Sequence, residues 1–154
     1  MVTYYTVLLT IHVLAAITWV GSNISTAIQA SRVQSRSAAE LGQFGKDADW
    51  YGMRVLAPTS LVLIVTGVLL AIEGDWGFDE PWILFALAAW LFSFVLGIAF
   101  LGPQSAKAGR LIEASDGQAT PEWKALVDRL FLVSRIELVV LIAVVIDMVI
   151  KPGA

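Results

Sequence analysis

Cysteine is absent from the 154 residues, and histidine occurs once, at position 12. The first absence excludes a disulfide framework, a thiol nucleophile and a thiolate metal site. The second excludes a histidine-rich metal cluster. Charge is also scarce: 15% of the residues are charged against 58% hydrophobic, which lies outside the usual composition of soluble domains. Basic stripes interleaved with aromatics are missing, so no nucleic-acid partner is expected. The first apolar stretch has no Lys or Arg ahead of it and is too long for a cleaved signal, so it is expected to remain as a helix.

What the chain does have is long apolar runs. A helix rising about 1.5 Å per residue needs roughly 20 apolar residues to cross a hydrocarbon core about 30 Å thick. Four segments meet that requirement, at about Tyr5 to Ala30, Tyr51 to Ile72, Pro81 to Leu101 and Leu130 to Ile150. Gly74, Pro81, Pro103 and Pro152 punctuate them, and lipid does not tolerate open strand edges. The reading is an all-α integral membrane four-helix bundle, up-down-up-down, forming a single domain over residues 1–154, with the lipid bilayer as its solvent.

Charge gives the direction. Residues 31–50 carry Arg32, Arg36 and Lys46, with Arg54 just beyond; residues 102–129 carry Lys107, Arg110, Lys124 and Arg129, with Arg135 in the next span. The loop from Glu73 to Glu80 has no basic residue. By the positive-inside rule the connections 31–50 and 102–129 are cytoplasmic and both termini are outside. A bacterial-type cytoplasmic (inner) membrane is the expected location. Ser37 before Glu40, and Thr120 before Pro121, read as starts of short interfacial helices; Ser115-Asp116-Gly117 reads as a turn. No internal repeat is evident.

Ionisable and polar groups at membrane depth need a partner or a purpose. His12 and Trp19 share one face of helix 1, and Thr66 of helix 2 falls at the depth of His12. His12 is thus open to metal or haem ligation, to proton relay, or to a plain hydrogen bond with a carbonyl or Thr66. Nearer the cytoplasm, Asn23, Arg54 and Glu137 fall at one level. Arg54 and Glu137 form either a structural ion pair or, with Arg135, a vestibule for an anionic group. Pro58 is expected to kink helix 2, and Gly67 to make room for a neighbour. Asp147 is expected to pair with Lys151 four residues on, and Trp76 and Trp82 to sit in the interfacial belt.

His12 with Trp19-x-Gly21, Arg54-x-x-x-Pro58 with Thr66-Gly67, Leu101-Gly102-Pro103 and the closing Asp147-Met148-Val149-x-Lys151-Pro152 together resemble an uncharacterised bacterial family of predicted four-helix integral membrane proteins. The first two helices are also similar to those of HemJ, a haem-binding protoporphyrinogen oxidase, and more distantly to the copper-resistance D membrane domain. The HemJ resemblance implies haem b on His12, with Arg54 near a propionate. The Lys that HemJ carries after a helix 3 Trp has no counterpart after Trp82, which argues against porphyrinogen oxidation. One His and scattered Met make a poor copper site.

Two functions therefore compete. In one, the chain is a haem-binding redox protein with His12 as axial ligand, Trp19 against the macrocycle, and Thr66 and Arg54 lining the site. In the other it is a non-enzymatic accessory or structural subunit, or a small-solute carrier acting as an oligomer, whose polar residues fix helix packing. A homo-oligomer or a partner membrane protein is expected in either case.

Overall fold

A computed structural model describes residues 3–153, and the described chain is all-helical. Four rods are built from six α-helices. The first rod is α1 (Tyr4–Gln34) and the second is α2 (Ala38–Tyr51) running through a π-helical turn, Gly52–Leu56, into α3 (Ala57–Glu73). The third is α4 (Pro81–Leu96) running through a second π turn, Gly97–Leu101, into α5 (Gly102–Ala114). The fourth is α6 (Pro121–Ile150).

The starts follow local chemistry. Thr3 caps α1 and accepts from the Thr6 N–H at 3.2 Å. Ser37 caps α2: the Glu40 N–H donates to Ser37 Oγ at 3.1 Å, and the Ser37 hydroxyl donates to Glu40 Oε1 at 3.2 Å. Thr120 caps α6, accepting from the Trp123 N–H, with Pro121 in the first turn. The turn at 115–117 is also present, with Asp116 at φ 51° and Gly117 at φ 79°.

Both expected helix starts are real, but the segments are not separate interfacial helices. α2 and α5 continue the spanning rods, so the connections placed at 31–50 and 102–129 shrink to 35–37 and 115–120. Their sequences are too polar to register as span, yet nothing in them breaks a helix. At 31 residues α1 is about 46 Å long, more than the hydrocarbon thickness.

α2, α5 and the start of α6 pack into a cap of their own at one end of the bundle. Its core is Leu41, Ala108, Ile112, Trp123 and Val127. The α2–α5 contact is backbone against backbone: a methyl group at Gly42 would collide with Ile112, and one at Gly45 would lie 2.9 Å from the Ser105 carbonyl oxygen. Ion pairs Lys46–Glu113, Lys107–Glu122 and Arg36–Glu40 fringe this cap. Trp123 Nε1 donates to the Ala108 carbonyl at 3.1 Å and fastens α6 to α5.

At the other end Trp82, Ile83 and Ala71 form a smaller core with Met148. Trp76 and Trp82 meet edge to face at 5.5 Å, and the Lys151 ammonium lies 4.9 and 5.1 Å from their ring centroids. Lys151 therefore binds aromatic faces and not the Asp147 carboxylate; only its backbone N–H reaches Asp147, at the carbonyl oxygen, 2.7 Å. Trp82 is buried in this contact, not spread in a lipid belt.

Between the two ends the rods turn apolar side chains outward. Ile17 is 62% exposed, Val65 57%, Leu91 55% and Val139 67%, one from each rod, which suits lipid and not water. Three rods, Tyr4–Gln34, Ala38–Glu73 and Pro81–Ala114, are long and apolar enough to cross a membrane. The fourth carries Arg135, Glu137 and Asp147 within its apolar stretch, and that charge sets it apart.

Candidate functional site

The two π turns have one origin. Gly52-Met53-Arg54-Val55-Leu56-Ala57-Pro58 and Gly97-Ile98-Ala99-Phe100-Leu101-Gly102-Pro103 share the spacing Gly-x-x-x-Leu-x-Pro. Proline has no N–H to give and its ring crowds the carbonyl four residues back. The chain relieves this by widening one turn: the Ala57 N–H bonds to the Gly52 carbonyl and the Gly102 N–H to the Gly97 carbonyl, each five residues back. Thr59 Oγ1 donates to the Val55 carbonyl at 2.7 Å and Ser60 Oγ to the Ala57 carbonyl at 2.9 Å. The kink expected from Pro58 is thus a π turn, and the recurrence around Pro103 is a repeat that the sequence reading missed.

The π turns flank a cavity of about 460 Å³ with contributions from all four rods. Trp19 and Asn23 of α1, Ser60 of α3, Ser93 of α4 and Glu137 of α6 line it, with Gly52 and Gly97 at the turns. A Cβ added at Gly52 or Gly97 would meet nothing within 4 Å, so these glycines leave space where those at 42 and 45 close it.

The polar groups facing the cavity are under-used. Glu137 is 5% exposed and belongs to none of the ion pairs among the described residues. Ser93 is 2% exposed and its Oγ has no hydrogen-bond partner. Asn23 Nδ2 donates to the carbonyl of Trp19, 2.9 Å away. Trp90 Nε1 donates to the Ser60 carbonyl at 3.0 Å and ties α4 to α3 beside the space.

The inner group expected around Arg54 is only partly assembled. Asn23 and Glu137 both reach the cavity, but Arg54 sits in the π turn with its side chain exposed and makes no ion pair with Glu137. Arg135 is at the rim and exposed. Neither arginine neutralises the buried carboxylate.

The outer group is assembled differently. His12 Nδ1 lies 3.1 Å from the Leu63 carbonyl oxygen and 3.1 Å from Thr66 Oγ1. A carbonyl can only accept, so Nδ1 carries the proton and Nε2 is left bare. The Thr66 hydroxyl is committed as donor to the Val62 carbonyl at 2.7 Å. A Cβ at Gly67 would lie 3.1 Å from His12 Cε1, so Gly67 is the notch that admits the ring. His12 and Thr66 do come together, as a pin between α1 and α3.

The structure does not gather around one space the residues expected to hold haem. His12 does not line the cavity, Arg54 is exposed elsewhere, and Gly67 already occupies the edge of the imidazole. Trp19 belongs to the cavity and Thr66 to the pin, so the four residues proposed around a macrocycle surround no common space. Among the described residues no group of three or more His, Cys, Asp or Glu is placed to hold a metal ion.

No curated protein and no solved structure matches this chain. A family model described as "Predicted integral membrane protein (DUF2269)" matches residues 6–152. With nearly the whole chain inside that match, and three rods apolar enough to span a bilayer, the chain belongs to this family of predicted integral membrane proteins.

Proposed function

We propose that the chain is a non-enzymatic membrane protein that binds a small, mostly apolar molecule in the cavity between its rods, as a receptor or carrier. All four rods cross the bilayer in this reading, up-down-up-down. The α2–α5 cap lies on the cytoplasmic side of a bacterial-type inner membrane and both termini lie outside. The exposed Val139 and Ile142 face of α6 and the basic residues gathered around the cap support that arrangement.

The observation that carries the binding reading is the buried Glu137, outside every ion pair among the described residues and lining about 460 Å³ of space. A charged group inside a membrane bundle is expensive and marks a pathway or a ligand unless something pairs it. The volume is in the range of small-molecule pockets. Glycine-and-proline-interrupted helices on both sides of one space are also how membrane carriers mark a binding site.

Native mass spectrometry of the protein released from lipid nanodiscs tests this. The wild type should carry a bound molecule of a few hundred daltons that is lost in Gly97→Leu, which puts a bulky side chain at the cavity wall where a Cβ meets nothing within 4 Å. Identical adduct-free spectra for both proteins would remove the reading.

A further inference from the structure

We infer that the ligand of this cavity is an organic cation, an amine or quaternary ammonium on an apolar body. The inference rests on the cavity being a binding site and names its chemistry.

Three features point the same way. First, the cavity lining carries two carboxylates against one basic side chain, so its formal charge is negative. Glu137 sits on one wall, and Asp49, half-buried beside Gly102, lines the cap end of the same cavity. Neither belongs to an ion pair among the described residues, although three lysine or arginine pairs form nearby at the cap surface. Arg135, the one basic residue at the cavity, is exposed at its rim, two residues from Glu137 and so off its helix face.

Second, aromatic residues are among those that line the same cavity: Trp19, Tyr51, Phe94 and Phe131. Ring faces attract a cation, and more strongly where water is excluded. The protein already uses this chemistry at its other end, where Lys151 lies over Trp76 and Trp82. Third, Ser93 lines the cavity and its Oγ has no hydrogen-bond partner, which leaves it free to accept from an amine N–H. An anion would be repelled by Glu137 and Asp49. A neutral lipid tail would fill the volume and leave the carboxylate uncompensated.

The test uses phenyltrimethylammonium, its neutral isostere tert-butylbenzene and the anion benzenesulfonate. Each is measured by equilibrium dialysis against protein in phosphatidylcholine nanodiscs, with empty nanodiscs as blank. The cation should bind saturably, at least tenfold more tightly than the isostere, and benzenesulfonate should not bind. Glu137→Gln should weaken the cation tenfold or more and leave tert-butylbenzene unchanged, and Gly97→Leu should abolish both.

Equal affinity for cation and isostere, or a cation affinity indifferent to Glu137→Gln, overturns the cation inference. If the isostere still binds and Gly97→Leu still blocks it, the cavity itself stands. Absence of cation binding to wild type also overturns the inference, while the bound molecule seen by mass spectrometry decides the cavity separately. Thermal unfolding of each variant identifies loss of fold as the cause of lost binding.

Discussion

His12 and Glu137 are both polar groups at membrane depth, and the fold treats them in opposite ways. His12 is satisfied by Leu63 and Thr66, so it acts as a fastener between α1 and α3. His12→Ala should lower stability by about 1 kcal/mol for the lost hydrogen bond, read as a fall in the unfolding midpoint in detergent. The visible spectrum should show no Soret band that depends on His12. Glu137 is buried and belongs to no ion pair among the described residues, and such a carboxylate weakens a bundle. Glu137→Leu should therefore stabilise the protein, on the order of 1 kcal/mol or more, by the same measurement. Arg54→Ala and Glu137→Ala should combine additively to within about 0.5 kcal/mol, since the two side chains do not pair. Coupling well above that would restore the ion pair expected from their depth. Depth arithmetic found Thr66 for His12 because both lie in uninterrupted α-helix. It failed for Arg54 because that residue sits inside a π turn, where the usual angle per residue no longer gives the direction of a side chain.

At the scale of the helix, the same residue type does two jobs. Gly42 and Gly45 let α2 and α5 approach backbone to backbone, whereas Gly52 and Gly97 hold space open. Gly45→Val should destabilise by about 1 to 3 kcal/mol, because its Cβ would press on the Ser105 carbonyl and backbone yields poorly. Gly52→Ala should be neutral or stabilising by up to about 1 kcal/mol, since helix propensity improves and nothing is struck. Thermal unfolding of the pair separates the two roles, and similar losses at both sites would contradict the assignment. Helix caps at Ser37 and Thr120 were legible because each is a contiguous local pattern. The π turns were not recognised, although Gly-x-x-x-Leu-x-Pro at 52–58 and 97–103 was in plain sequence. One Pro reads as a kink, and only the second copy shows that the distortion is designed. The cavity was invisible because Ser60 and Ser93 are unremarkable residues until four rods converge on them.

For the molecule as a whole, the apolar belt and the charged cap follow from composition, and the family match agrees with the first. The number of crossings and their direction are open to a direct measurement, for which the cysteine-free sequence is a ready background. Single cysteines at Phe78 and at Gln118 should react with a membrane-impermeant maleimide from opposite sides, Phe78 from outside. Labelling of both from one side would rule out the proposed topology. Helix content and the apolar runs were readable because hydropathy is a sum over many residues. The length of the rods was not, because α2 and α5 are held by contacts with each other, not by lipid.

The Lys151 contact also imposes an order on assembly. Trp76 and Trp82 enter the membrane region early in synthesis, joined to rods two and three, while the ammonium that bridges them arrives only after α6 has been made. A nascent chain can therefore hold all of its apolar segments in the bilayer with the far end of the bundle still unlatched. Closure there follows the making of α6, which brings both Met148 and Lys151 to Trp82.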